Sequence, residues 1–132
     1  MKTLITLLLA LAIVSIAAPP VAAHHGRGRT FDMQKRLTLK GVVSNVKWQN
    51  PHVLIFIDVK DEAGKVVTWG FENSNVRTLA TQGYNRNTLK VGQEVTVMLN
   101  PAANGEPIGI VVKVILPDGK EIMSRERGNP VD

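Results

Sequence analysis

The chain has 132 residues, a formal net charge of +5 and no cysteine, and its aromatic residues are two Trp, one Tyr and three Phe. That length supports one domain with one modest core, and the ordinary apolar share excludes a disordered or fibrous class. The positive surplus is too mild and too dispersed to mark a nucleic-acid binder, and without cysteine neither a disulfide nor a lipid-anchored N-terminal cysteine is available.

Lys2 followed by the apolar and small-residue run Leu4 to Ala18 has the form of an export signal. The run is about 15 residues, short of the ~20 that span a bilayer, and Pro19-Pro20 breaks it at once. Val21-Ala22-Ala23 reads as a small-x-small cleavage site. The expectation is a cleaved, helical signal peptide over 1–23 and a periplasmic or secreted bacterial protein, with no stable membrane anchor after cleavage.

Residues 24–36 form a basic arm with Arg27, Arg29, Lys35 and Arg36 against Asp32, expected to be a mobile leader as termini usually are. From Leu37 the pattern becomes β. Leu37, Leu39, Gly41 and Val43 alternate with polar or outward neighbours, then the phase slips so that Val46 and Trp48 carry the apolar face onward. A one-residue slip inside a long strand predicts a β-bulge at Gly41 or at Ser44-Asn45. Asn50-Pro51 predicts a turn. Val53, Ile55, Ile57 and Val59 are the core face of a second strand, and Asp61 to Gly64 make a hairpin loop. Lys65 to Glu72 is a third strand with Val67, Trp69 and Phe71 inward.

A short helix follows, with Asn73 or Ser74 as cap, Val76, Leu79 and Ala80 as the apolar stripe and Gly83 as terminator. Leu89 to Gly92 is a turn into a fourth strand carrying Val95, Val97 and Leu99, and Asn100 to Pro107 is a loop. Ile108 to Leu116 is a fifth strand, Pro117 to Lys120 a turn, and 121–132 a charged C-terminal tail. Five strands with one helix between the third and fourth predict an all-β fold, a small five-stranded OB-like barrel over 37–120. An open roll is the competing architecture; the helix falls where a barrel bottom needs a plug.

Ala23-His24-His25, Trp48-Gln49-Asn50-Pro51-His52, Trp69-Gly70-Phe71-Glu72, Gly83-Tyr84, Leu89-Lys90-Val91-Gly92 and Leu116-Pro117-Asp118-Gly119-Lys120 together resemble a family of small exported bacterial proteins known as domain-of-unknown-function family 6152. The chain departs from that pattern at Gly26-Arg27-Gly28-Arg29, where relatives tend to carry Ser and Phe. The resemblance implies an OB-like fold and an exported location; it implies no activity.

The chain has three histidines, His24, His25 and His52. Cleavage after Ala23 places the amine and imidazole of His24 together as a chelating pair. Cleavage after Ala22 puts a histidine third, so that amine, backbone amides and imidazole can wrap a square-planar ion. Either register offers nitrogen donors suited to Cu(II) or Ni(II), and His52 becomes a third ligand if the arm folds back. Zinc suits the set less well, since it would need a carboxylate such as Asp32 or Asp58. Against this, two histidines at a mobile terminus bind copper whether or not the protein uses it.

The outward face of the second strand carries His52, Leu54, Phe56 and Asp58. Two large apolar residues on an outward face suggest a contact surface, and Trp48 and Asn50 flank it. The expected binding residues are thus Trp48, Asn50, His52, Leu54 and Phe56, and the expected metal ligands His24, His25 and His52. No nucleophile–base pair, Gly-x-Ser-x-Gly elbow or phosphate-cradling loop is legible, so no catalytic residue is assigned. Two readings stand: an exported binding or accessory module for a protein or small ligand, not nucleic acid, or a copper-handling protein.

Overall fold

The computed structural model describes residues 30–124. Among the described residues six strands and one helix follow in order: β1 (Leu37–Lys47), β2 (Leu54–Lys60), β3 (Val66–Glu72), α1 (Val76–Thr81), β4 (Glu94–Pro101), β5 (Ile108–Ile115) and β6 (Glu121–Met123). The sheet order is β3-β2-β1-β4-β5-β6, and an additional β3–β5 pairing closes the first five strands into a barrel. All neighbours are antiparallel except that last pair, where Gly70, Phe71 and Glu72 run parallel to Ile108, Gly109 and Ile110. A parallel pair needs a crossover between its strands; α1 and β4 supply it.

Period-two alternation fills the barrel. Ile55 and Ile57 of β2, Val95, Val97 and Leu99 of β4 and Phe71 of β3 are buried together. The phase slip in β1 is a bulge: Val43 faces Ile57 and Asn45 faces Phe56, leaving Ser44 extra. Val43 and Val46 therefore both reach the core side. Gly41 is not the bulge. A Cβ there would lie 2.6 Å from the Asp58 carbonyl oxygen, so glycine lets β1 and β2 approach.

The helix cap differs from expectation. Asn75, not Asn73 or Ser74, caps α1, its Oδ1 accepting from the Thr78 N–H at 2.8 Å. Asn73 is still extended chain: its N–H donates to the Val53 carbonyl at 2.8 Å, which postpones the helix. Leu79 plugs the core, whereas Ala80 is exposed. Gly83 ends the turn at φ +83°, the left-handed region glycine enters freely.

Both ends of the barrel extend beyond the expected limits. Part of the segment read as a charged tail is β6, paired with Lys113 to Ile115 of β5. The Pro117–Lys120 hairpin turns the chain back, and Ile122 enters the core at 3 % exposure. Part of the arm is docked too. Phe31 bridges Ala102 and is 5 % exposed. The Asp32 N–H donates to the Pro101 carbonyl at 2.8 Å and the Ala103 N–H to that of Thr30 at 3.0 Å. Buried Asn100 secures the segment, its amide donating to the carbonyls of Lys35 at 2.8 Å and Met33 at 3.3 Å. The expected signal peptide, residues 24–29 of the arm and the tail beyond 124 lie outside the described residues.

Candidate functional site: an apolar groove across the barrel seam

The outward face of β1, β2 and β3 is built in cross-strand rows. One row is Lys47, Leu54 and Glu72; the next is Asn45, Phe56 and Gly70; the third sets Asp58 between Val42 and Thr68. Closure of the barrel extends the middle row to Ile108, the parallel partner of Gly70. Glycine has no side chain, so a slot opens between Phe56 and Ile108. A Cβ at Gly70 would stand 3.2 Å from the Phe56 ring and 3.8 Å from Ile108.

Phe31, Leu54, Phe56, Gly70, Phe71, Glu72, Ile108 and Gly109 line the resulting groove of about 190 Å³. Whole small molecules usually occupy roughly 300–1,000 Å³; this groove is sized for one or two side chains. Its walls are apolar, with Ile108 37 % exposed. Glu72 is the charged group on its lining and has no ion pair among the described residues. Lys47 Nζ sits over the Phe56 ring, 5.7 Å from its centroid, a cation–π arrangement that helps hold the ring in place. Beyond it the face turns polar, where Thr68 Oγ1 donates to Asp58 Oδ1 at 2.7 Å.

All eight lining residues fall inside one recognised sequence unit. The model of a family of unknown function, DUF6152, matches residues 10–112. The chain belongs to this family. No curated protein matches it.

In this DUF6152 protein the expected binding residues divide. Leu54 and Phe56 line the groove. Trp48 does not: the chain leaves β1 after Lys47, and the indole packs against the core on the other side of the sheet. There it borders, with Tyr84, Leu79 and Asn73, a cavity of about 10 Å³, room for at most one water. Asn50 serves structure: its Oδ1 accepts from the Val76 N–H at 3.2 Å, satisfying a donor that the first turn of α1 leaves free. His52 is half-buried and outside the groove, and its Nδ1 is buried without a hydrogen-bond partner among the described residues.

The expected metal ligands His24 and His25 lie outside the described residues. Among the described residues no cluster of three or more His, Cys, Asp or Glu could hold a metal ion, so His52 has no such company there.

A second concavity of the DUF6152 barrel, about 440 Å³, is polar and includes Thr88, Lys90, Gln93, Asp118 and Lys120. Its polar groups are largely committed to their own turns. Thr88 Oγ1 accepts from the Asn85 N–H, Gln93 Oε1 from that of Lys90, and Asp118 Oδ1 from that of Lys120. Phe31, Gly70, Phe71, Glu72, Ile108 and Gly109 are the groove residues that strand-by-strand reading missed. The signal available was Phe31 itself, a lone large aromatic in a basic arm; the role of Gly70 required knowing its partner across the seam.

Proposed function

We propose that this protein is an exported β-barrel binding module that takes one or two apolar side chains of a protein partner into the groove between Phe56 and Ile108. The observation that carries the reading is the slot over Gly70: apolar walls, a volume of about 190 Å³ and a carboxylate at its border. Apolar surface left open on a monomer is a usual mark of a contact site. A phosphate backbone suits the face poorly, because Glu72 and Asp58 flank it and oppose counterion exchange.

The test is chemical-shift mapping with N-acetyl-leucinamide and N-acetyl-phenylalaninamide as probes. Saturable shifts confined to Phe31, Leu54, Phe56, Gly70 and Ile108 support the reading. Shifts absent up to the solubility limit of both probes, or scattered over the barrel, overturn it. Export is tested separately by N-terminal sequencing of the protein in the periplasmic fraction, where a start at Ala23 or His24 is expected.

A further inference from the structure

Val91 is the most exposed large apolar side chain among the described residues, 70 % open to water. It stands on the turn before β4, next to exposed Lys90. This exposure is built in. Leu89 is anchored in the core. The Lys90 N–H donates to Gln93 Oε1 at 3.1 Å and the Lys90 carbonyl accepts from the Gln93 N–H at 3.1 Å. The Gly92 N–H donates to the Val43 carbonyl at 2.8 Å, and the Val43 N–H to that of Gln93 at 2.9 Å. Gly92, at φ +87°, completes the reversal. The turn is thus pinned on both sides and holds a branched aliphatic group out in water, next in sequence to an exposed lysine that also borders the polar concavity.

The groove is the chemical converse of that turn: an apolar slot beside a carboxylate without an ion pair among the described residues. A rigid knob loses little freedom on docking, which favours association. We propose that the groove's occupant is the Lys90–Val91 turn of a second copy of this chain. Val91 enters between Phe56 and Ile108, and Lys90 meets Glu72. The proposal rests on the groove being a contact site. Because knob and groove are different patches, the contact is heterologous, and copies join head to tail into a ring or an open chain.

The test is sedimentation velocity on the protein as isolated from cells, over a wide concentration series. The native chain shifts to larger species as concentration rises. Val91→Asp destroys the knob and weakens self-association about tenfold or more, as loss of one buried aliphatic side chain should. Ile108→Lys obstructs the groove at an exposed position that spares the core. A mixture of these two variants, each checked for native circular dichroism, forms a 1:1 heterodimer and nothing larger. Glu72→Lys and Lys90→Glu each weaken association, and combining them in one chain restores it. A native chain that stays monomeric throughout overturns the proposal, as do assemblies that survive both Val91→Asp and Ile108→Lys. If the amino-acid probes bind the groove of a chain that stays monomeric, the self-partner is wrong and the contact site stands. If neither probe binding nor self-association is seen, both fall.

Discussion

The side-chain amide of Gln82 donates to the Met123 carbonyl at 3.0 Å and accepts from the Met123 N–H at 3.2 Å. A side-chain amide has the same donor and acceptor as a peptide group, so Gln82 acts as a one-residue strand neighbour to β6. Tyr84 assists, its hydroxyl donating to the Glu121 carbonyl at 2.7 Å. Gln82→Ala removes three partly buried hydrogen bonds, these two and a 3.4 Å donation to the Thr78 carbonyl, and should cost about 1–2 kcal/mol. Urea denaturation measures that loss, and hydrogen exchange should place it at Met123, with little change in β1 to β4.

Gly70 and Gly109 occupy the same parallel seam, yet their alanine variants should diverge. A Cβ at Gly109 would overlap Leu99 Cδ1 and stand 2.9 Å from the Asn100 carbonyl oxygen, with core and backbone both in the way. Gly109→Ala is expected to destabilise by about 1–3 kcal/mol, the usual range for overpacking. At Gly70 the obstacle is the side chain of half-buried Phe56, which can yield. Gly70→Ala should stay within about 1 kcal/mol of the native chain in urea while weakening probe binding in the groove.

Phe31 holds the docked end of the arm against Ala102 and walls the groove. Phe31→Ala should cost about 2–4 kcal/mol, near the low end for a buried phenylalanine because the site lies on the outside of the barrel and water can enter it. Thermal denaturation checks the magnitude. Asn100→Leu tests the same dock from the other side. It strips the carbonyls of Met33 and Lys35 of a donor and should lose about 1–3 kcal/mol.

Copper bound through His24 and His25 should not depend on His52. The Nδ1 of His52 is buried, and no cluster of three or more metal-ligating side chains includes it among the described residues. EPR titration of Cu(II) into protein with its native terminus should give the same affinity for the native chain and for His52→Ala. A weaker His52→Ala complex would bring the N-terminal segment back over β2.

Much of the barrel was legible in the residues because period-two burial writes itself into the strands: Val53, Ile55 and Ile57, then Val95, Val97 and Leu99, are unambiguous. The bulge at Ser44 was legible as a slip of phase. Short elements were not. β6 contributes one core residue, Ile122, amid charged neighbours, and it becomes a strand through pairing with β5 and the Gln82 amide. The groove was half legible. Leu54 and Phe56 stood out as apolar groups on the wrong face, but the slot between them and Ile108 exists by virtue of a pairing that no local pattern encodes. Trp48 divides: the phase of β1 after the bulge put it on the core side, where it packs, while its place beside the outward face of β2 had put it among the expected binding residues.

The parallel seam of Gly70 to Glu72 with Ile108 to Ile110 joins segments separated by the helix and a whole strand. Such a contact pays the loop-closure entropy of everything between its ends, and contacts of this kind slow the folding of small β proteins. One wall of the groove is carried by β2 and β3 and the other by β5, so the proposed binding surface comes into being only when the last gap in the barrel shuts. A partner seated there binds the closed form alone and, by mass action, deepens its stability. On the proposed function, recognition is linked to completion of the fold: whatever occupies the groove also acts as a clasp of the barrel.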